Sequence, residues 1–237
     1  MGDVDERYLK GFSSISERRE AELRCAAEKL GLKAVHFLGY RDSGMPGSAD
    51  NLHPLALAAQ PVEKVADQVA HYFRLVKPQV VITFDPIGGY RHPDHIAIHN
   101  ATVRAFKEGS INPDGDGLPA YQPQKLYFQT IPHGLFKAAV FALKLTGQDP
   151  RHFGHNHDID LESLAAVSFP IHARVSFRSV ARIRDEAGAC HASQGGLEMR
   201  QGLMGWMRRL LSSNETYMRA FPPPSNGHIE KDLFEGL

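Results

Sequence analysis

The strand, loop and helix between residues 79 and 106 constrain the fold of this chain more than any other stretch. Residues 80–84 read Val-Val-Ile-Thr-Phe, and such an apolar, mostly β-branched run is typical of a parallel strand buried on both faces. Two glycines and the segment 92–95, His-Pro-Asp-His, follow, and Pro93 suits the first turn of a helix. Open α/β sheets bind ligands beyond the carboxyl ends of such strands. The sequence therefore predicts an α/β fold with a site at this loop.

The remaining pattern predicts one α/β domain over residues 1–221, with a mostly parallel sheet and helices on both faces. A helix is expected after Ser14, which has capping-box spacing to the glutamate three residues later, and an amphipathic helix is expected from Pro61. Residues 34–38 are predicted to form a short strand, and the Pro-rich tail 222–237 is predicted to be loose. Because doubly wound sheets normally open with a buried strand, whereas this chain opens with polar residues and a helix, we expect the first βαβ portion to be missing.

Composition excludes several classes of partner. Lys and Arg together number 27, as do Asp and Glu, so the formal net charge is zero. This removes the global electrostatic argument for nucleic acid or an anionic membrane as a partner. No apolar run is long enough to span a bilayer, and the first residues do not form a secretory signal. The two cysteines, Cys25 and Cys190, lie in helix-like patterns, so we expect reduced thiols in a cytoplasmic protein.

The titratable side chains of the loop point to metal chemistry. His92 and His95 are separated by Pro93 and Asp94, and imidazole is the commonest metal ligand near neutral pH, with carboxylates assisting it. Tyr90 adds a phenolic donor that could stabilise an oxyanion. A histidine that only caps the helix is the structural alternative. For three titratable groups within four residues at the end of a strand, we favour the functional interpretation.

Other polar residues leave two interpretations open. Arg19 is either an ordinary surface partner on a helix or a substrate contact, and Asp42 either forms an Asx turn or contacts substrate. A second group of titratable residues lies in a polar stretch with no flanking strand or helix: His152, His155, His157, Asp158 and Asp160. Because metal sites need fixed geometry, we interpret this group as part of a solvated loop.

Three motifs together resemble one known family. They are Tyr-Arg-Asp-Ser-Gly-Met at 40–45, Gly-Gly-Tyr-Arg-His-Pro-Asp-His at 88–95 and His-Ala-Ser-Gln at 191–194. Their residues, order and spacing resemble the zinc-dependent N-acetylglucosaminyl de-N-acetylases of the LmbE-like, or PIG-L, family. The resemblance is strongest to the subgroup that contains mycothiol deacetylase and mycothiol S-conjugate amidase. It covers about residues 2–194.

The resemblance implies a Rossmann-like fold that removes an acyl group, commonly acetyl, from a small-molecule amino-sugar conjugate. By motif, His95 would be a zinc ligand. His92 would face the tetrahedral intermediate, and Asp94 would tune the His92 ring. Tyr90 would polarise the amide carbonyl. Arg19 and Asp42 match positions that contact the sugar.

One motif of the family is absent from the sequence. Family members carry His-Pro-Asp-Asp at the end of their first strand, which supplies a histidine and an aspartate to zinc and a further aspartate as general base; this sequence contains no such motif. Because catalytic zinc usually has three protein ligands, we expect weak zinc binding and little or no turnover from residues 1–237. A preceding segment or another chain could supply the missing strand. The alternative is a non-catalytic, sugar-binding or partner-binding relative.

Overall fold

The computed structural model describes residues 9, 11–109, 117–153, 158–194, 213–224 and 227–237. The chain divides into two compact units: the first comprises Met1–Gly39 with Ser176–Asn214, and the second comprises Tyr40–Val175 with Glu215–Leu237. The described helices are α1 (Ile15–Leu30), α2 (Val62–Val76), α3 (Gly88–Arg91), α4 (Pro93–Arg104), α5 (His133–Leu145), α6 (Leu161–Ala165) and α7 (Ala181–Cys190). The described strands are β1 (Val80–Phe84), β2 (Lys125–Thr130), β3 (Ala173–Ser176) and β4 (Asn214–Phe221). A π-helical turn, Ala105–Gly109, continues α4.

The first unit is built on the packing of α1 against α7. The predicted N-cap of α1 is confirmed, because the Ser14 hydroxyl accepts the backbone N–H of Glu17 at 3.2 Å. The helix ends where Gly31 adopts the left-handed conformation, with φ of 68°, which glycine tolerates without a steric penalty.

The prediction of two reduced cysteines is wrong. Cys25 on α1 and Cys190 at the end of α7 form a disulfide across 165 residues of sequence, with their Cα atoms 5.8 Å apart. That separation lies in the range that disulfide geometry requires. The sequence shows each cysteine in a helical pattern but not that the two helices pack side by side, and this tertiary contact creates the bond.

A buried carboxylate lies one helical turn from the disulfide. Glu22 is 3% exposed and accepts the backbone N–H of Ser193 at 2.9 Å and its hydroxyl at 2.7 Å. Arg18 donates to the same carboxylate at 2.8 Å. Burial by itself would raise the pKa of Glu22, but the bonds from Ser193 and Arg18 outweigh it and hold the pKa below its ordinary value. Hydrogen bonds and a covalent bond therefore join the same two segments.

The second unit carries a mixed sheet in the order β1-β2-β4-β3. β1 and β2 are parallel, with Val80 opposite Lys125, whereas β2 and β4 are antiparallel, with Thr130 opposite Thr216. The predicted α/β class is confirmed. The antiparallel pair makes the sheet less uniformly parallel than the sequence suggests.

The strand β1 is buried on one face, not on both as predicted. Val81 and Thr83 are each 8% exposed, but Ile82 on the opposite face is 49% exposed. Within the described residues, β1 stands at the end of the strand order and pairs only with β2. The predicted strand at 34–38 is also wrong: none of its residues belongs to a strand, and an extended apolar segment becomes a strand only when another strand pairs with it.

The amphipathic helix expected from Pro61 is confirmed as α2. It packs against α4 and buries Val65, Ala66, Ala70 and Phe73. The helix α4 also contacts the sheet through His99. This residue is 7% exposed, and its Nδ1 lies 2.7 Å from the carbonyl oxygen of Phe84 at the end of β1. These contacts place the start of α4 at the carboxyl end of β1.

The tail that the sequence predicts to be loose is anchored in the second unit. Glu230 is 3% exposed and accepts hydrogen bonds from Lys125 at 2.8 Å, Tyr127 at 2.7 Å and Arg219 at 2.8 Å. Leu233 joins the hydrophobic cluster of Tyr127, Ala173 and Tyr217. The composition of the tail does not reveal these partners, which lie as many as 105 residues earlier.

Among the helices that the structure describes, none combines the length and apolar content needed to cross a bilayer. The helix that the apolar pattern of residues 197–211 predicts lies outside the described part of the chain.

Candidate active site

The site is organised by the turn that joins β1 to α4. Asp85, directly after the strand, is 3% exposed, and its Oδ1 accepts the backbone N–H groups of Ile87 at 3.1 Å and Gly89 at 2.9 Å. Its carbonyl oxygen accepts the N–H of Gly88 at 2.9 Å. Gly88 and Gly89 have φ of 68° and 67°, a region open to glycine. Our sequence reasoning missed Asp85, although an aspartate before a Pro-containing, Gly-rich turn is a known Asx signal.

His92 caps α4, and this fixes which nitrogen carries its proton. Its Nδ1 accepts the backbone N–H of Asp94 at 3.2 Å, so in the neutral ring the proton is on Nε2. Nε2 lies 4.0 Å from Oδ1 of Asp42. The side chain is only 13% exposed. His92 therefore presents an N–H donor to the cleft.

His95 has the opposite arrangement of ring nitrogens. Its Nδ1 lies 3.2 Å from the carbonyl oxygen of Gly88, which can only accept, so the proton is on Nδ1 and the lone pair is on Nε2. The ring stacks on Phe84 with centroids 3.7 Å apart and planes at 6°. Burial lowers the pKa of His95 and the neighbouring His92 lowers it further, against the opposing effects of the Gly88 carbonyl and of nearby carboxylates. A neutral imidazole with a free Nε2 is the form that binds a metal.

Tyr90 lies against both histidines. Its ring centroid is 5.2 Å from that of His95 and 5.8 Å from that of His92, in edge-on orientations. The side chain is 37% exposed. The structure thus brings the rings of Tyr90, His92 and His95 together.

The loop after residue 40 places the carboxylate of Asp42 near His92 and holds the carboxylate of Asp94. Asp42 accepts the backbone N–H of Gly44 at 2.7 Å, which is the predicted Asx turn. Its side chain is 51% exposed. Ser43 binds both carboxylate oxygens of Asp94, with its hydroxyl and with its backbone N–H at 3.0 Å. No local pattern in the sequence indicates this contact, because the two residues are 51 positions apart.

Donor atoms in this cleft are spaced closely enough to be tested against a metal ion. One ligand atom each from Asp42, His92 and Asp94 lies within 4.8 Å of the other two, and the ring centroids of His92 and His95 are 4.8 Å apart. Tetrahedral zinc needs donors about 3.4 Å apart, so these atoms would have to move closer together, and His95 is not among them. Because the proton of His92 is on Nε2 and that of His95 is not, His95 is the better ligand. Imidazole and carboxylate donors of this kind suit zinc.

The second group of titratable residues does not join the cleft within the described part of the chain. His152 is exposed and its Nδ1 lies 3.2 Å from Asp149, while Asp160 caps α6 by accepting the N–H of Ser163 at 3.0 Å. His155 and His157 lie outside the described residues.

Arg19 belongs to the first unit, and a cavity of the second unit is lined in part by Arg91 and Pro93 of the loop. Arg19 is on α1 in the first unit. The cavity, of about 480 Å³ beside α4, is lined by none of the predicted site residues.

The comparisons with known proteins agree with the motifs. A sequence profile of the PIG-L family, GlcNAc-PI de-N-acetylase, matches residues 2–106. The chain is 35% identical over 183 residues to the 1D-myo-inositol 2-acetamido-2-deoxy-alpha-D-glucopyranoside deacetylase of Geodermatophilus obscurus, covering 74% of this chain and 61% of that one. It is 40% identical over 151 residues to the deacetylase of the same name from Kineococcus radiotolerans, covering 57% of this chain and 42% of the relative. It thus spans less than two thirds of the length of these two relatives.

Two further comparisons cover more of the chain. The identically named deacetylase of Streptomyces griseus is 30% identical over 231 residues, which are 94% of this chain and 71% of that relative. The crystal structure of the conserved protein TT1542 from Thermus thermophilus shares the fold, with a TM-score of 0.53 at 19% identity over 92% of this chain and 78% of that one. On the similarity to the Streptomyces griseus protein, this chain belongs to the PIG-L family of GlcNAc-PI de-N-acetylases.

Proposed function

We propose that this chain carries the site of a zinc-dependent amide hydrolase that removes an acyl group, commonly acetyl, from a small-molecule amino-sugar conjugate. The observation that carries the proposal is the opposite protonation of two neighbouring rings: His92 presents an N–H and His95 presents a lone pair. Amide hydrolysis at a metal site needs both, one to hold the metal and one to stabilise the developing oxyanion. The names of the curated relatives support an N-acetylated amino sugar as the substrate class.

His95 is the metal ligand in this proposal. Its Nε2 is free because Nδ1 is held by the carbonyl of Gly88, the type of outer contact that orients metal-binding histidines. One oxygen each of Asp94 and Asp42 lies within 4.8 Å of a ring nitrogen of His92, whose ring neighbours that of His95. When bound, zinc supplies a Lewis acid that polarises a carbonyl and activates water near neutral pH.

His92 and Tyr90 act on the substrate carbonyl. The Nε2–H of His92 and the phenolic O–H of Tyr90 are donors at the edge of the same cleft, and donors placed where negative charge develops lower the barrier to acyl transfer. The carboxylate of Asp94, held in a fixed orientation by Ser43, contributes a negative charge next to the His92 ring. These three residues are the proposed catalytic residues.

Asp42 and Arg19 are proposed to contact sugar hydroxyl groups. The Asp42 side chain is half exposed and lies 4.0 Å from Nε2 of His92, and a carboxylate accepts hydroxyl donors well. The assignment of Arg19 rests on its motif position alone. We also propose that copies of this chain associate, because β1 leaves an unpaired edge in the described sheet, and such edges attract further strands. The disulfide between Cys25 and Cys190 removes the argument from reduced thiols for a cytoplasmic location.

The direct test is acetate release from the N-acetylated glucosaminyl inositol named for the relatives, measured with zinc-loaded and chelator-treated protein. We expect slow release that requires zinc. Zinc binding without any release would favour the non-catalytic, sugar-binding alternative. Release that survives complete removal of metal would contradict the proposal.

A further inference from the structure

Ser43 is a buried residue that contacts Asp94 with both its side chain and its backbone. Its exposed fraction is 0%. Its hydroxyl binds Oδ1 of Asp94, and its backbone N–H binds Oδ2 of Asp94 at 3.0 Å. The same hydroxyl oxygen accepts the backbone N–H of Ala58 at 2.9 Å. Ser43 therefore donates hydrogen bonds to both carboxylate oxygens of Asp94 in the candidate site.

The direction of the hydroxyl proton follows from these partners. The N–H of Ala58 can only donate, so it takes a lone pair of the Ser43 oxygen. The Ser43 proton is left to point at Asp94. Two donors, an O–H and an N–H, thus face the Asp94 carboxylate from one side, and the remaining lone pairs of its oxygens face away from Ser43.

The loop that carries Ser43 is itself held in place. The side-chain amide of Asn51 donates to the carbonyl oxygens of Ser43 and, at 3.1 Å, of Met45. Arg41 donates to the carboxylate of Asp50 at 2.5 Å. Because hydrogen bonds hold the loop on both sides of Ser43, its hydrogen bonds to Asp94 are part of the folded structure.

We infer that Ser43 is a positioning residue that sets the orientation of the Asp94 carboxylate in the cleft it shares with His92 and Asp42. The inference rests on the proposed function for the role of Asp94. Free of Ser43, the Asp94 carboxylate can rotate about its side-chain bonds, and the lone pairs that face the cleft lose their direction. Outer contacts of this kind commonly change metal affinity or rate by about 10- to 100-fold when removed.

Ser43→Ala removes the hydroxyl and keeps the backbone N–H to Asp94, and the melting temperature reports the cost of leaving the N–H of Ala58 without this acceptor. Ser48→Ala is the matched control, since Ser48 lies in the same loop and its hydroxyl accepts only the backbone N–H of Asp50, at 3.2 Å, among the described contacts.

The experiment compares the wild-type chain, Ser43→Ala, Asp94→Asn, the double variant and Ser48→Ala. For each, kcat, KM, zinc affinity by calorimetry and the melting temperature are measured. We expect Ser43→Ala to lower kcat about 10-fold with KM within about twofold, and to weaken zinc binding about 10-fold with little change in melting temperature. The double variant should equal Asp94→Asn, because a residue that acts through another has no effect once that partner is gone. Ser48→Ala should match wild type.

Additive effects of Ser43→Ala and Asp94→Asn would overturn the inference, as would a Ser43→Ala variant that changes only the melting temperature. If the wild-type chain binds zinc but releases no acetate, the non-catalytic alternative is favoured over the proposed hydrolase. Zinc affinity then decides the role of Ser43 separately: unchanged affinity in Ser43→Ala refutes it, and weakened, non-additive affinity supports it.

Discussion

At the scale of single residues, the backbone gives two neighbouring histidines different tasks. The backbone N–H of Asp94 donates a hydrogen bond to Nδ1 of His92, whereas Nδ1–H of His95 donates one to the carbonyl oxygen of Gly88. The backbone thereby makes one ring a donor and the other a ligand, although the two residues are three positions apart.

His92→Ala should separate chemistry from metal binding. We expect its zinc content to equal that of wild type and its kcat to fall by about 100-fold or more, since loss of one oxyanion donor costs on that order. Zinc analysis of the purified variant and initial rates of acetate release check this. Zinc loss equal to that of a His95 variant would show that the two roles are exchanged.

Gly88→Ala should disturb His95 through direct overlap. A Cβ at Gly88 would lie 3.0 Å from Cβ of His95 and 2.8 Å from Cγ1 of Ile96, whereas one at Gly89 would meet no atom within 4 Å. Both glycines have positive φ, but Gly89 also has ψ of −89°, outside the left-handed helical region, so alanine is strained at both positions and not by the same amount. We expect Gly88→Ala to weaken zinc binding about 10-fold, and Gly89→Ala to keep a zinc affinity closer to that of wild type because its Cβ meets no atom near His95. Identical zinc affinity in the two variants would contradict this account.

At the scale of elements, locally encoded features could be predicted and pairings could not. The cap at Ser14 and the stripe of α2 depend on residues within a turn or two, so the sequence shows them directly. Other features depend on which distant segments pack nearby. Examples are the exposure of Ile82 in β1 and the contact of Ser43 with Asp94. The conformation of the 92–95 segment lies between these cases: Pro93 predicts the helix start, but not which nitrogen each ring presents.

Reduction of the disulfide should destabilise the first unit. Cys25 and Cys190 close a loop of 165 residues, and loss of such a link typically costs about 3 kcal/mol. We expect thermal unfolding in the presence of a dithiol reductant to start at a lower temperature than in its absence. The variant with both cysteines changed to serine should show no dependence on reductant. Titration of two free thiols in the untreated protein would contradict the disulfide.

At the scale of the whole molecule, the second unit is completed by a tail that reaches back to β2. Glu230 sits among Lys125, Tyr127 and Arg219, and Leu233 fills the neighbouring cluster. Because the tail packs on β2, the burial of residues such as Lys125 and Tyr127 depends on residues 215–237 as well as on residues 40–175. Distant partners, not the composition of the tail, decide whether it is ordered.

The Glu230 network should make stability depend on pH. Burial by itself would raise the pKa of Glu230, but bonds and charges from Lys125, Tyr127 and Arg219 outweigh it, so the folded pKa lies below the ordinary value of 4.5. A carboxylate with a depressed folded pKa contributes stability that is full above its unfolded pKa and is lost as pH falls through the folded value. We therefore expect the second unit to weaken below about pH 4.5.

Glu230→Gln tests this dependence, because it leaves Lys125 and Arg219 without their buried counter-charge. We expect the free energy of unfolding in urea at pH 7 to fall by about 3 kcal/mol, with a smaller difference from wild type at about pH 4. Asp232→Asn, also in the tail, changes an exposed carboxylate that accepts the N–H of Phe234 and should stay within about 0.5 kcal/mol of wild type. A constant difference between Glu230→Gln and wild type across this pH range would exclude the carboxylate as its source.

Zinc titration of the wild-type chain and of His95→Ala, followed by calorimetry, tests the central claim most directly. The account predicts a single, weak zinc site in the wild-type chain that His95→Ala abolishes. Zinc binding of equal affinity and stoichiometry in the two proteins would contradict it.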